Sequence, residues 1–355
     1  MNENTQCYYQ SALKLLMPIE LEAELGGFVL VLAKKRYFFC GLGTPLNNTM
    51  STYISRNKYF TNKLLEKAGL PVPKARYIHV SDFEQGLLEE KIEGLSFPLV
   101  AKPMINGKFG EDVLCNIQGI EQLKGYLYEH ATQYEFITIE EFHSNLKSYR
   151  VLIFNHRILG VVLRHPAHVI GDGQHTIEEL VDITNMNRSE ISDVLKPIII
   201  DEECHIRLNE LGIDTNYIPK KDDWITLCYT CNASRGGNYI SLDKKICNEN
   251  NMLLINAAKA LNLNLVGFDV LCADINLPIV SSGGVIIESN DSPSVRIHEQ
   301  AIEGNSVLVT RKIIRSYILR HPCSYLYGLY QNNRTKLYIR SFILMVFMSI
   351  FYTFL

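Results

Sequence analysis

Two apolar runs late in the chain, LVGFDVLCADI (residues 265–275) and GVIIESN (residues 284–290), carry acids where acids are costly. A short connection rich in Pro, Ser and Gly separates them, so they are expected to pair as antiparallel neighbours. Glu288 and Asn290 are two residues apart and leave the same face of their strand. Asp269, on the adjacent strand, is placed to stand opposite them. A carboxylate in so apolar a run is expensive without a partner. Two carboxylates and an amide oxygen on one face suit a hard cation such as Mg²⁺, which keeps some waters and takes its other ligands from substrate phosphates. The competing reading is that Asp269 caps a turn and Glu288 is solvated.

The remaining elements alternate in clusters. A short helix is expected near residues 12–17, then a hairpin of 28–33 and 37–42 around Lys34-Lys35-Arg36. A helix over 58–68 is stopped by Gly69, Pro71 and Pro73. Strand 77–80 leads to a helix over SDFEQGLLEEKI with Ser81 as its N-cap, then to strand FPLVAKP (97–103). A polar glycine loop, residues 106–110, precedes strand VLCNI, a helix over 120–130 and strand FITIEEF. YRVLIF and RILGVVLR are joined by Asn155-His156, a tight hairpin turn. After Pro166 the pattern is irregular up to strand WITLCYT, and a helix over 244–261 precedes the final strand pair. With no internal repeat, this sequence predicts an α+β fold with antiparallel hairpins rather than a uniform parallel series.

With 355 residues the chain can bury a substantial core and hold two or three subdomains. Its net charge of −3 lacks the basic balance that tracks a phosphate backbone, which argues against a nucleic-acid partner. Nine cysteines follow no regular framework, and MNENTQCYYQ has no basic region followed by an apolar run. Both features point to reduced thiols in a cytoplasmic protein. Cys228-x-x-Cys231 lacks a second pair at zinc-finger spacing and is expected in a strand and turn. Residues 341–355, SFILMVFMSIFYTFL, carry no charge. They fall short of the ~20 residues of a membrane span, yet Lys336 and Arg340 before them are placed to snorkel. A terminal helix packed on the body and a membrane-touching tail both stand open.

Lys102 ends an apolar strand beside the glycine loop, a placement that suits a phosphate, although the P-loop pattern is absent. Asn232–Gly237, with Arg235, offers a second glycine-bearing anion site, or a simple turn. In order, NKYFTNKLLEKAGLPVP, FPLVAKP with its loop, ITIEEF and GFDV…GVIIESN resemble the motifs of the ATP-grasp ligases. PAHVIGDGQHTIEELV (166–181), CNASRGG and SPSVRIH (292–298) are similar to segments of the ATP-grasp domains of cyanophycin synthetase and bifunctional glutathione synthetase. The resemblance runs from about residue 51 to 309.

It implies an ATP-grasp fold, two α+β subdomains clasping ATP, over residues 51–312, with a lid subdomain at about 75–140 and a metal-bearing subdomain at about 141–312. Residues 1–50 would be a shortened N-terminal region and 313–355 a helical, apolar tail. It further implies that Lys58 and Lys102 hold the ATP phosphates and that Gly107, Lys108 and Gly110 close over them. Glu140, Glu141 and Phe142 would read the adenine. Asp269, Glu288 and Asn290 would bind Mg²⁺, with Mn²⁺ as an alternative. Arg150 and Arg164 would face the transferring phosphoryl group and the acceptor carboxylate. Asn232, Arg235, Gly236, Gly237, Arg296 and His298 would line the substrate side.

The implied activity is an ATP-dependent carboxylate–amine ligase acting through an acyl phosphate. Its substrates would be an amino acid or short peptide and an amine, and a homo-oligomer is left open. Two positions differ from the family: Ser148 stands where an acid precedes Tyr-Arg, and Cys228 where an arginine follows the strand. With the shortened N-terminal region they motivate an alternative, a catalytically impaired ATP-binding regulator or scaffold of the same fold.

Overall fold

The computed structural model describes residues 1–105, 107, 112–191 and 195–353. Two compact units emerge: Met1–Pro45 with Ser294–Glu299 and Leu308–Leu355, and Leu46–Pro293 with Gln300–Val307.

The smaller unit opens with helix α1 (Glu3–Lys14), where the Asn2 side chain accepts the Thr5 N–H at 2.9 Å and satisfies one of the open donors of the first turn. Strands β1 (Ile19–Glu22), β2 (Gly27–Leu32) and β3 (Lys35–Cys40) form an antiparallel meander in sequence order. Ala33 and Lys34 both adopt positive φ at the β2–β3 turn, the left-handed pair that a tight hairpin between right-twisted strands needs. Phe28 and Phe39 stack at 4.9 Å against Tyr8.

The larger unit begins with α2 (Thr49–Arg56) and α3 (Lys58–Lys67), the latter capped by Asn57 through the Phe60 N–H. Next come β4 (Ala75–His79), α4 (Val80–Glu84), α5 (Leu88–Lys91), β5 (Leu99–Pro103), β6 (Leu114–Ile117), α6 (Ile120–His130) and β7 (Phe136–Glu141). Their strands make an antiparallel sheet in the order β4-β7-β5-β6. One face buries Leu99, Ala101, Ile137 and Ile139 against Leu123 and Leu127 of α6. The single helix expected from Ser81 is two short ones, because Gly86 turns at φ +75° between them. Its cap is also different: the His79 imidazole accepts the Ser81 N–H at 3.0 Å.

The chain continues through β8 (Lys147–Phe154), β9 (Arg157–His165), β10 (His168–Ile170), α7 (Ile177–Ile191), α8 (Glu202–Glu210), β11 (Trp224–Thr226), β12 (Asn238–Ser241), α9 (Asn248–Ala260), β13 (Leu265–Cys272) and β14 (Val285–Asn290). After α10 (Arg296–Glu299), which belongs to the smaller unit, β15 (Glu303–Gly304) completes a six-stranded sheet, β14-β13-β8-β9-β12-β15. Asn155 and His156 take φ +46° and +56°, as the expected β8–β9 turn requires.

The stretch expected to be irregular after Pro166 holds α7 and α8 in place of loop. Thr176 and Glu179 start α7 as a reciprocal pair: the Thr176 hydroxyl accepts the Glu179 N–H at 3.3 Å, and the Glu179 carboxylate accepts the Thr176 N–H at 2.8 Å.

The smaller unit ends in α11 (Val309–Arg320), α12 (Pro322–Gln331) and α13 (Asn333–Thr353). A terminal helix packed on the body is not what is found, because every described side chain of α13 from Leu337 to Ile350 is exposed. No helix among the described residues is long and apolar enough to cross a membrane.

Candidate active site

The six-stranded sheet has two unlike faces, and alternation along the strands makes them so. Val151, Ile153, Val161, Val266, Phe268 and Val270 point into the core, against Leu254, Ala257 and Ala258 of α9. The intervening residues face the other way. Asp269 is the direct cross-strand partner of Arg150 on β8 and of Glu288 on β14, which puts Arg150, Asp269 and Glu288 in one row across three adjacent strands. Asn290 stands opposite Gly267, and its amide donates to the Gly267 carbonyl at 3.4 Å.

A bulge falls beside this row. Asp269 pairs with Glu288 and Val270 with Ile286, so Ile287 is the extra residue on β14. Ile286 enters the core while Glu288, two positions on, belongs to the polar face.

Asp269 is nearly closed off from solvent and carries two guanidinium partners. Arg150 donates to it through Nε and, at 3.1 Å, through a terminal nitrogen, and Arg164 of β9 lies at 3.0 Å. Burial opposes ionisation of the carboxyl, but the two cations overcome that penalty and hold it below the ordinary carboxylate range. Burial likewise works against the charge on Arg150, and Asp269 more than offsets it. Arg164 also donates to the Ser148 hydroxyl at 2.8 Å, while among the described residues its buried Nε has no hydrogen-bond partner.

Two lysines stand on elements of the same unit. Lys58, the first residue of α3, reaches to 3.7 Å from Glu288. Its backbone N–H donates to the Met104 carbonyl, just after β5, and a Cβ on Gly107 would lie 3.4 Å from its ammonium. Lys102 on β5 forms a buried pair with Glu140 on β7 at 2.7 Å, the two side chains being 9% and 5% exposed. Both project from the sheet face opposite the α6 core, as does Thr138, the cross-strand partner of Lys102. Among the described residues the buried Thr138 hydroxyl has no hydrogen-bond partner. A buried hydroxyl beside a buried ammonium on one sheet, and a buried guanidinium N–H of Arg164 on the other, are each suited to the oxygens of an anion.

The expected adenine-reading segment is more committed than its sequence implies. The Glu140 side chain goes to Lys102, the Glu141 N–H donates to Lys74, and the Phe142 N–H donates to Pro98. Lys108 and Gly110 lie outside the described residues. Among the described residues no group of three or more His, Cys, Asp or Glu side chains could hold a metal. The candidate set has two acids and an amide. These oxygens suit a hard cation, and a carboxylate has about four lone-pair sites, so the arginines leave Asp269 some coordinating capacity.

The turn after Asn232 is built by close packing. Gly236 has φ +85°, and a Cβ there would lie 2.7 Å from Ile198; one on Gly237 would meet the Asn232 and His165 carbonyls at 2.7 Å. Arg235 gives its charge to Asp201 and to Glu203, the latter at 2.9 Å. The anion site expected here is therefore a packed turn whose cation is already neutralised. Glu203, absent from the sequence expectations, also accepts the Tyr229 and Thr230 N–H groups at 3.0 and 3.1 Å. Its only local signal is the Asp201-Glu202-Glu203 run that starts α8.

Arg235, Asp201 and Glu203 line a cavity of about 510 Å³ with Asp112, Tyr126 and His130. Lys58 and Glu288 line a much smaller recess with Ser55 and Thr61. The roomier space therefore does not include the lysine–carboxylate row, and pairing and burial mark the row as the more specific chemistry. Arg296 belongs to the smaller unit, on α10, where it pairs with Glu3, and the buried His298 shares that helix. His168 stacks on Trp224 at 3.6 Å, and Cys228 and Cys231 are free thiols whose S–H groups donate to the Thr230 and Tyr229 carbonyls.

Gly267 keeps the row in place. A Cβ there would sit 2.9 Å from Pro293 and 3.0 Å from the Arg150 side chain. Gly267→Ala is expected to cost about 1–3 kcal/mol by overpacking, read as a lower denaturation midpoint. An unchanged midpoint would show that β13 and Arg150 are not so closely apposed.

A family profile described as the RimK-like ATP-grasp domain matches residues 55–247. Cyanophycin synthetase from Crocosphaera subtropica is 33% identical over 263 residues, which are 72% of this chain and 30% of that protein. The glutathione biosynthesis bifunctional protein GshAB from Mannheimia succiniciproducens is 29% identical over 283 residues, 76% of this chain and 36% of that protein. The crystal structure of a bifunctional glutathione synthetase from Pasteurella multocida shares the fold at a TM-score of 0.61 and 24% identity, over 90% of this chain and 44% of that one. The chain spans about a third of the length of the curated relatives it matches.

Proposed function

The chain belongs to the RimK-like ATP-grasp family, and from that premise we propose that it is an ATP- and Mg²⁺-dependent carboxylate–amine ligase. The substrates would be an amino acid or short peptide as carboxylate and a second small molecule as amine. The observation that carries the reading is the row Arg150–Asp269–Glu288 with Lys58 against its outer end.

Lys58 and Lys102 would neutralise the phosphates of ATP, and the unpaired Thr138 hydroxyl and Arg164 Nε would donate to phosphate or carboxylate oxygens. Asp269, Glu288 and Asn290 would hold the divalent ion, Mg²⁺ or Mn²⁺, which when bound supplies further neutralisation of the triphosphate. The acceptor carboxylate oxygen attacks the γ-phosphorus in line. The bond to the β-phosphate oxygen breaks, and an acyl phosphate and ADP result. The amine then adds to the acyl carbon, Arg150 and Arg164 stabilise the oxyanion, and phosphate leaves as the amide forms and the nitrogen proton passes to solvent. Positioning and charge neutralisation do this work; the chain contributes no covalent intermediate. A cytoplasmic setting accords with the free cysteines.

A screen of ADP release against amino acids and dipeptides, with mass spectrometry of products, tests the reading. The expected result is ADP in proportion to one amide product. Glu288→Ala should lower that rate on the order of 10²-fold, the equivalent of about 3 kcal/mol of transition-state stabilisation. ADP release near wild type in that variant would remove Glu288 from the metal site. The impaired ATP-binding alternative draws on Ser148, which supplies a hydroxyl to Arg164 where the family has an acid. It predicts that ATP raises the melting temperature with no substrate pair releasing ADP.

A further inference from the structure

The last helices differ in composition from the rest of the chain. No aspartate or glutamate occurs after Glu303, whereas seven lysines and arginines do, in a protein of net charge −3. On α11 the residues Val309, Thr310, Ile313, Ile314 and Tyr317 are buried within their unit, and Thr310 shares a 2.7 Å hydrogen bond with Ser11 of α1. The opposite face of α11 presents Arg311, Lys312, Arg315 and Arg320 as exposed side chains.

α13 then exposes Phe342, Ile343, Leu344, Met345, Val346 and Phe347 in succession. Six consecutive residues at about 100° each point in every direction around a helix. A groove on a protein partner, or on a second copy of this chain, covers one side of such a helix. Hydrocarbon covers all of it. Tyr330, Tyr338 and Tyr352, each about two-thirds exposed or more, are amphipathic rings suited to the interface between hydrocarbon and water.

We infer that α11 to α13 form an anchor for an anionic phospholipid surface, with the basic face of α11 and Lys336 and Arg340 of α13 at the headgroups and the uncharged part of α13 entering the acyl region. Residues 341–353 of α13 span roughly 20 Å at about 1.5 Å per residue, so this segment reaches about two-thirds of the way through the ~30 Å hydrocarbon core. The inference is independent of the ligase reading, since none of these residues belongs to the row at Asp269.

The full chain is incubated without nucleotide with phosphatidylcholine vesicles or with mixed phosphatidylcholine–phosphatidylglycerol vesicles, and then sedimented. Pelleting is expected with the mixed vesicles, falling at least ~10-fold at high salt as the headgroup attraction is screened. Arg311→Glu with Arg315→Glu should weaken binding at least ~10-fold. Phe342→Asp with Phe347→Asp should abolish it while leaving ADP release as in the parent. All four positions are exposed, so the substitutions leave the core intact. Absence of pelleting with mixed vesicles, or equal and salt-independent pelleting with both kinds, overturns the inference. So does a lipid-free dimer that Phe342→Asp with Phe347→Asp converts to monomer, because a second copy would then be the cover.

Discussion

Asp269→Ala is expected to destabilise the larger unit by about 3–5 kcal/mol, because it leaves the Arg150 and Arg164 guanidiniums largely buried without their shared counter-charge. Few single changes act so strongly. Chemical denaturation monitored by circular dichroism measures the effect. Asp269→Asn keeps the volume and removes only the charge, so it separates electrostatics from a packing defect.

The pH dependence has a definite sign. The folded-state value for Asp269 is lowered, so the stabilisation from its ion pairs is fully present above the ordinary carboxylate value near ~4. It is lost as pH falls through the lowered folded value. The wild-type chain should show this contribution undiminished across neutral pH and lose it only in acid. Asp269→Asn should lack that acid limb, and an unchanged limb in the variant would mean that other carboxylates cause it.

The second large effect is at Lys102. Lys102→Met should reduce ADP formation on the order of 10³-fold, if its ammonium stabilises the transferring phosphoryl charge as a preorganised cation does elsewhere. The same change leaves the buried Glu140 side chain without its lysine partner, which costs stability on its own account. A double variant, Lys102→Met with Glu140→Leu, resolves the two. Replacing a whole buried pair with apolar groups of similar volume is often neutral for folding, so the double variant should regain stability while activity stays low. Recovery of turnover along with stability would show that Lys102 acts only by pairing with Glu140.

These predictions depend on pairings that the sequence shows only in part. The final strand pair is legible because its two runs are apolar, close in sequence and punctuated by turn residues; the facing of Glu288 and Asn290 follows from a period of two. Helix α3 is legible from Gly69, Pro71 and Pro73, and the β8–β9 hairpin from Asn155-His156. Partners across distant segments are another matter. Arg150 meets Asp269 because β8 is the neighbour of β13, and strand order is not encoded in the periodicity of either strand. Glu140 meets Lys102 for the same reason, which a reading of Glu140 as part of an adenine-contacting segment does not anticipate.

The glycine-bearing turn at Asn232–Gly237 resembles an anion site in composition, but its glycines answer to the close approach of Ile198 and the His165 carbonyl. Helix α7 differs: Thr176-x-x-Glu179 is a readable start signal within a stretch whose apolar pattern is otherwise irregular.

The extra residue at Ile287 divides β14 into two phases. On one side, Ile286 packs into the core shared with α9; on the other, Glu288 and Asn290 belong to the polar face beside Asp269 and Gly267. Ordinarily a substitution pattern along a strand is tied together by parity, so that altering the reacting end disturbs the packed end. Here the parity is broken between them, so the polar end can change its side chains while the packed end keeps its register.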